Sequence, residues 1–384
     1  LEGLGELQVI GGRLRILVPA EAVDVRVPRI DLRLQVNGPR VRAGVRAWPE
    51  RGDTPINASL DIDRRSGDGR VHAGARSIDL AGWSSLLRWQ GAMLVAGQGQ
   101  AQSWLRLEGH RVASVTTVGD LRDVALQPVS PAPGAVQEVR FERLRQRARF
   151  ARSGDGWSLQ APQLAWTQQG RETRLDGIAM RRESGRWAAR ADHVALGPLL
   201  SVLDLSDRLP TGLRHWLGRA QPQGELSDVE ATGEDTRLLT LSANARGLGF
   251  KPVGDAPGLS GVSGKLQGGG DALSLEFDAA SKMVFDWPRG FGVPHPITAR
   301  GVVSLWREGK GVRVGTGGMH IQGGGYSADA RGGLWFQNDG TRPWIDIAAR
   351  IDGAGSWRMF TAIMLPLVRP AIATVVAPSS RRHS

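Results

Sequence analysis

The residues whose types could support chemistry are concentrated in one stretch, LPTGLRHWLGRAQPQGELSDVEATG, at residues 209–233. His215 could serve as a base or a metal ligand, and Glu225, Asp228 and Glu230 are carboxylates. Glu225 and Asp228 have no further ligand at a spacing typical of metal sites, and Asp228 and Glu230 fit the wet face of a strand. We therefore interpret the stretch as structural: a short helix ends one sheet segment, and a turn at Gly224 opens the next.

Motifs for catalysis and cofactor binding are absent elsewhere. The run GVSGK (residues 261–265) lacks the length and context of a phosphate-binding loop, and GLSGVSG lacks the spacing of a nucleophile elbow. None of the seven His forms H-x-x-x-H, and the chain has no Cys, which excludes thiol catalysis and Cys-based zinc sites. The sequence predicts no enzyme, no metal and no cofactor.

The composition favours an all-β protein. The 384 residues include 52 Gly, roughly twice the usual frequency. Gly disfavours helix interiors by about 1 kcal/mol each, whereas many tight turns between short strands accommodate it. Hydrophobic residues make up 41% and charged residues 23%, which is not the composition of a disordered chain.

The net charge of +11 raises the alternative of a nucleic-acid-binding β-domain. Only four of the 49 basic residues are Lys, and the Arg residues are scattered along the chain. A scattered Arg excess can reflect a GC-rich genome, and it forms no basic helix. We therefore do not expect nucleic acid as a partner.

Strict alternation of apolar and polar residues is the clearest structural signal. It occurs in RIDLRLQVNG, INASLDID, LSLEFDA and DIAARID, and it predicts antiparallel strands with one apolar and one wet face. The apolar face is the candidate binding surface, and its predicted residues are Ile30, Leu32, Leu34, Val36, Leu60, Leu273, Leu275 and Phe277.

Turn sequences separate these runs. RRSGDGRV, RSGDGW, RRESGRW and WREGKGV each place Gly with Asp, Lys or Ser between strand-like flanks, which predicts hairpins. Short helices are predicted at three places: one within residues 78–89, two within residues 194–220, and one within residues 353–366. Leu213, Trp216 and Leu217 lie on one face of the second helix in 194–220. These helices divide the chain into segments 1–92, 93–219 and 220–366, followed by a tail at 367–384.

No window reaches about 18 uninterrupted apolar residues, and no signal peptide is visible. The most apolar run, residues 360–378, contains three Pro and one Arg. We expect any membrane anchor to lie outside this chain.

The stretch at 209–233 resembles the recurrent motif of AsmA-like envelope proteins of the YhdP type. The matching positions are Leu209, Pro210, Trp216, Leu217, Gly224, Leu226 and Asp228. Residues 97–126 and 343–366 resemble other segments of that family, whereas the tail at 367–384 does not match it.

The resemblance implies an elongated, twisted antiparallel sheet folded into an open apolar groove, with a few short helices between sheet segments. It also implies a periplasmic protein anchored in the inner membrane, which conducts phospholipid toward the outer membrane. Phospholipid acyl chains, the membrane and envelope proteins at the ends of the groove would be its partners. The residues alone leave one alternative open, a closed β-sandwich that serves as an assembly module of the envelope without lipid.

Overall fold

The structure is a computed structural model. It describes residues 5–18, 23–48, 54–81, 83, 87–89, 91–129, 138–203, 205, 211–254, 256–289, 292–309, 311–337 and 344–352.

Strands dominate these residues. They are β1 (Glu6–Val18), β2 (Val23–Asn37), β3 (Arg40–Trp48), β4 (Ile56–Asp63), β5 (Gly69–Asp79), β6 (Arg88–Trp89), β7 (Ala92–Glu108), β8 (Arg111–Pro128), β9 (Val139–Ser153), β10 (Gly156–Gln168), β11 (Arg171–Glu183), β12 (Arg186–Ala195), β13 (Gln223–Glu234), β14 (Arg237–Phe250), β15 (Gly258–Gly268), β16 (Ala272–Phe277), β17 (Met283–Asp286), β18 (His295–Glu308), β19 (Gly311–Gly323), β20 (Tyr326–Phe336) and β21 (Trp344–Asp352). Two short helices, α1 (Leu196–Leu203) and α2 (Thr211–Ala220), lie between β12 and β13. The predicted all-β class with few helices is confirmed.

The chain divides into two compact units. The first contains Leu1–Gly218 and Leu226–Thr240, and the second contains Arg219–Glu225 and Leu241–Ser384. In the first unit β1 to β5 pair in sequence order, β5 pairs with β7, and β7 to β12 continue in order, all antiparallel. This is a meander, the topology that short hairpin connections produce.

The second unit is also an antiparallel meander. β14 pairs with β15, and β18 to β21 pair in sequence order. Between them β16 and β17 each pair with both β15 and β18, so that these two short strands occupy one position in the sheet.

The four predicted turn sequences all connect hairpin strands. They lie between β4 and β5, β9 and β10, β11 and β12, and β18 and β19. In the first unit neighbouring turns also bond to each other, because the His110 amide donates to the Gly67 carbonyl at 3.1 Å and the Gly109 amide donates to Asp68 Oδ1 at 3.0 Å. Asp and Gly in these turns therefore hold adjacent hairpins in register as well as closing their own.

The main core of the first unit lies at the strand ends opposite these turns. Its buried residues come from the ends of β7 and β10, from β8, β9 and β11, and from the links after β5 and α1: Leu80, Ala92, Leu121, Val124, Val139, Phe141, Trp166, Leu175 and Leu205. Val202 of α1 packs against this cluster, which we call the closed core. The short helix thus supplies apolar side chains that cover one end of the sheet.

The predicted helices are confirmed in part. α1 and α2 lie within residues 194–220, and Pro198 is in the first turn of α1, where a missing amide costs no hydrogen bond. Leu217 is buried, but Leu213 and Trp216 are exposed, so the predicted apolar face of α2 is narrower than its sequence indicated. Within residues 78–89 the described part is strand to Asp79, then a 3₁₀ turn containing Leu80, Ala81 and Trp83, and then strand β6 at Arg88–Trp89. The predicted helix at 353–366 and the tail at 367–384 lie outside the described residues.

Gly224, at the predicted start of a strand, lies in β13 and has a φ of +115°. A Cβ at this position would lie 2.7 Å from Leu248 Cα and 2.8 Å from the Gly247 carbonyl oxygen. Glycine is required because the two backbones approach each other closely and the φ is positive.

Candidate functional site: the apolar sheet face

One apolar side chain from each of eleven neighbouring strands forms a continuous row across the first unit. Each residue of this row lies directly opposite the next in the strand register. We call it the apolar row; its members are Leu7, Leu34, Ala43, Leu60, Val71, Leu105, Val115, Phe150, Leu159, Met180 and Ala189.

The apolar row is only half-buried. Leu7 is 40% exposed and Met180 36%, and Leu34, Leu60 and Val71 keep intermediate exposure. In the closed core, by contrast, Val124 is 0% exposed and Leu205 1%. The described side chains therefore close one end of the apolar face and leave the other end accessible.

A second cluster extends the closed end toward the first strands. Val27 and Ala47 are buried there, with Ile30, Val45 and Trp83 packed against them. Trp83 comes from the link that follows β5, so this link covers the apolar face at both clusters, through Trp83 here and Leu80 in the closed core.

The second unit repeats the arrangement on a smaller scale. Val262, Met283 and Ala299 form its core, and Leu275 and Phe277 pack against them. Toward the hairpin ends a shorter row continues across the sheet through Leu241, Gly268, Leu273, Leu305, Val314, Leu334 and Ile345. Leu305 is 44% exposed and Ile345 40%, so this row is also incompletely covered by the described residues.

The structure distributes the eight predicted residues between both units. Leu34 and Leu60 are members of the apolar row, and Leu32 and Val36 lie opposite Val45 and Val41 on the same face. Ile30 packs in the closed cluster around Val27.

The remaining three predicted residues belong to the second unit. Leu273 is a member of the shorter row, whereas Leu275 and Phe277 line the second core. That all eight form one continuous binding surface stays a prediction.

Sequence reasoning missed the middle of the apolar row, from Val71 to Met180. In β7 the alternation of Ser103, Leu105 and Leu107 with Trp104 and Arg106 carries the signal that could have found it. Trp104 lies on the wet face and obscures this alternation, because its large aromatic side chain counts as apolar in a sequence pattern.

The opposite face of the sheet is polar and carries the charged groups. Asp61 accepts two hydrogen bonds from Arg40, Nε–Oδ1 at 2.7 Å and Nη2–Oδ2 at 2.9 Å, and Arg42 Nε lies 3.5 Å from Asp61 Oδ2. The hydrogen bonds from Arg40 hold the pKa of Asp61 below its ordinary value. Arg143 likewise donates two hydrogen bonds to Asp120, Nε–Oδ1 at 2.8 Å and Nη2–Oδ2 at 2.6 Å, and these bonds lower the pKa of Asp120. These cross-strand pairs fix the wet faces of adjacent strands to each other.

Within the described part of the chain, no group of three or more His, Asp or Glu residues is placed to hold a metal ion. His215 is exposed on α2. His320 lies on the wet surface, where its Nδ1 is 2.8 Å from Asp329 Oδ1 on the neighbouring strand. Neither α1 nor α2, the helices found among the described residues, has the length and apolarity of a membrane span.

A comparison with known protein families shows to which family the chain belongs. The model of the family described as YhdP protein matches residues 12–358, which is most of the chain. The chain belongs to the YhdP family. Membership in the YhdP family makes it an AsmA-like envelope protein, in a class that is in general non-enzymatic. No curated protein and no solved structure matches the chain.

Proposed function

We propose that this chain binds the acyl chains of phospholipids along its apolar sheet face and lets them move passively toward the outer membrane. In this proposal it is a periplasmic part of a protein anchored to the inner membrane, with the anchor outside this chain and envelope proteins at the ends of the path. The apolar row, half-exposed across eleven strands of the first unit, is the observation that carries the proposal.

The dimensions of the row suit a conduit better than a single binding site. Ten strand-to-strand steps of about 4.8 Å give a contour of roughly 48 Å. One leaflet of a bilayer core is about 15 Å thick, so the row exceeds the length of a single acyl chain. Several acyl chains could therefore be bound in succession along the same face.

The energetics of burial also favour movement along the row. Burial of each CH₂ group contributes about 0.8 kcal/mol, without requiring a directional hydrogen bond. Leu34, Leu60, Val71 and Leu105 offer similar aliphatic contacts, so that shifting a chain by one strand exchanges one contact for an equivalent one. Such a surface binds without a deep minimum that would trap the lipid, and it involves no catalytic step.

One observation favours the rival, an assembly module with a closed β-sandwich core. The closed core buries Val124 and Leu205 almost completely, as a sandwich interior would. The two functions differ in the state of the apolar row in solution, because a sandwich would cover that row with protein and a conduit would cover it with lipid.

Native mass spectrometry of the purified chain, followed by lipid analysis of whatever dissociates, separates the two. Phospholipids bound as a mixture of species are expected for the conduit. A lipid-free mass from a sample with a folded β-sheet circular dichroism spectrum would instead favour the assembly module.

Paired variants on β4 locate the lipid. Leu60→Asp places a charge in the apolar row and is expected to reduce the bound phospholipid at least tenfold, because a carboxylate cannot be desolvated beside an acyl chain. Asn57→Asp adds the same charge on the wet face of the same strand and should leave the bound lipid unchanged.

Leu105→Asp on β7 repeats the test at a second position, and circular dichroism establishes that each variant is folded. Folded Leu60→Asp and Leu105→Asp proteins that both retain the full lipid load would exclude the apolar row as the lipid site.

A further inference from the structure

A cleft of about 630 Å³ lies on the polar face of the first unit, across β2, β3, β4, β5, β7 and β8. Two adjacent cross-strand rows line it. One row runs Arg33, Gly44, Ser59, His72, Trp104 and Thr116, and the other runs Gln35, Arg42, Asp61, Arg70, Arg106 and Ser114. Four residues that lie between these rows in sequence also line the cleft: Ala43, Leu60, Val71 and Leu105. Strand alternation directs their side chains to the opposite face, so we infer that they contribute backbone to its floor.

The charge in this cleft is strongly positive. Four Arg residues and one acid, Asp61, line it. Asp61 is already engaged by Arg40 and Arg42, and its pKa is lowered chiefly by the hydrogen bonds from Arg40. Asp61 therefore neutralises positive charge at the edge of the cleft near β3, whereas the centre of the cleft, on β5 and β7, stays positively charged.

Arg70 is the least compensated of these arginines. Arg33 pairs with Glu6 at 2.8 Å and Arg106 pairs with Glu108 at 2.7 Å, whereas Arg70 has no carboxylate within ion-pair distance among the described residues. In the strand register Arg70 lies between Arg106 on one side and Asp61 on the other, and Asp61 is already bound by Arg40. Like charges directly opposite each other destabilise a sheet, so an anion bound between Arg70 and Arg106 would relieve this repulsion.

A pair of aromatic rings, His72 and Trp104, lies next to Arg70 and Arg106. The rings of His72 and Trp104 lie 5.4 Å apart, and each residue is two positions along the strand from Arg70 or Arg106, on the same face. Trp104 is 42% exposed. A large ring left accessible near Arg70 offers a flat apolar surface for the part of a ligand that adjoins its charged group.

We propose that this cleft binds a phosphate group, with Arg70 as the principal ligand, Arg106 and Arg42 beside it, and Trp104 against the remainder of the molecule. Guanidinium groups donate paired hydrogen bonds that match the oxygens of a tetrahedral oxyanion. The phosphate could belong to a phospholipid headgroup or to a free phosphate ion. This site goes beyond the proposed lipid path, because it lies on the opposite face of the sheet and requires no acyl chain.

Isothermal titration calorimetry of the whole chain at low ionic strength tests the proposal, with inorganic phosphate and glycerol 3-phosphate as the probes. We expect saturable binding with a millimolar dissociation constant, weakened by added sodium chloride because the arginines are exposed to solvent. Arg70→Ala should weaken phosphate binding at least tenfold.

Arg181→Ala provides the matched control. Arg181 is exposed on β11 and lies on the same polar face, in the cross-strand row that continues from Ser114 through Ala151 and Ser158, but outside the cleft. Its replacement removes the same unit of charge and should leave the affinity within twofold. If both variants lose affinity equally, binding reflects only the net charge and the site is refuted, as it is if the parent chain shows no saturable binding.

A comparison of the two probes identifies the source of the phosphate. Tighter binding of glycerol 3-phosphate, with the gain lost in Trp104→Leu, would indicate a headgroup whose glycerol contacts the ring. Equal affinity for both probes would indicate the free ion. Either result requires Arg70, so the comparison of the two probes identifies the ligand, whereas the existence of the site is tested by binding to the parent chain and by the Arg70→Ala and Arg181→Ala variants.

Discussion

At the scale of single residues, two glycines of the stretch at 209–233 have opposite roles. Gly224 has a φ of +115° and no room for a Cβ beside Leu248, whereas Gly218 lies in α2 with nothing within 4 Å of the Cβ position. We expect Gly224→Ala to lower the free energy of unfolding by more than about 1 kcal/mol, through strain and steric overlap. Gly218→Ala should raise it by up to about 1 kcal/mol, because Ala favours a helix interior.

Urea denaturation followed by circular dichroism measures both changes. A Gly224→Ala protein as stable as the parent would mean that the close approach of Gly224 to Leu248 does not exist in solution. The two variants also test the interpretation of residues 209–233 as a structural stretch. If both substitutions change the free energy of unfolding as expected, these glycines contribute to folding.

The polar residues of the same stretch lie on two different elements of the fold. His215 is exposed on α2, and the described residues contain no metal-binding group. His215 lies on α2, whereas the carboxylates after Gly224 lie on β13. A helix and a strand that follow each other bring such residues together only if the chain between them folds back, and Gly224 directs it into the sheet instead.

At the scale of elements, β8 contains two valines on the apolar face with different surroundings. Val124 is fully buried in the closed core, and Val115 lies half-buried in the apolar row. Val124→Ala should cost about 2 kcal/mol of unfolding free energy, and Val115→Ala less than about 1 kcal/mol, because less apolar area leaves water at Val115 on folding.

Chemical denaturation of the two variants, compared under the same conditions, measures the difference. This comparison keeps residue type, strand and sheet face constant. Equal losses at both positions would show that protein covers the apolar row in solution, which is what the assembly module requires.

The sequence predicts strands and hairpins well, and it fails where strands are irregular. The four runs of strict alternation form strands β2, β4, β16 and β21, because a regular strand directs alternate side chains to one face. In β8, however, Leu121 and Val124 both enter the closed core although strict alternation would place them on opposite faces. Asp123, with a φ of +52°, changes the phase between them, and β7 and β8 shift register nearby.

The closed core could not be predicted for two reasons: irregular strands change which face a residue occupies, and some core residues come from links between strands. In β10, Leu159 of the apolar row and Trp166 of the closed core share a face despite their odd separation, because the register with β9 shifts between Gln160 and Gln163. Leu80 and Leu205 come from links whose sequences indicate only an apolar segment. Their packing partners are far away in sequence, and alternation carries no information about such contacts.

At the scale of the whole molecule, the charge balance predicts how stability responds to acid. The chain carries a net charge of +11, and several of its described carboxylates are held in their charged form by hydrogen bonds. The pKa is lowered, by arginine side chains in most cases and by backbone amides at Asp63, in Glu6, Asp61, Asp63, Asp120, Glu138 and Glu172.

The direction of the pH dependence follows from these lowered values. The folded protein binds fewer protons than the unfolded chain near the ordinary pKa values of 3.8 for Asp and 4.5 for Glu. The stability from these groups is therefore complete above about pH 5 and is lost as the pH falls through the lower, folded-state pKa values. Protonation also raises the positive charge of an already basic chain, and the resulting repulsion acts in the same direction.

We therefore expect the urea midpoint to be nearly constant from about pH 6 to pH 8 and to fall steadily below about pH 4.5. Asp120→Asn isolates one contribution, since it removes the charge that Arg143 binds while keeping a side chain of similar shape. The variant should be less stable than the parent at neutral pH, and the difference should narrow toward pH 3, where the parent loses the same charge. Parallel acid curves for the two proteins would show that the bond between Asp120 and Arg143 contributes nothing to the acid sensitivity, and that general charge repulsion causes the loss.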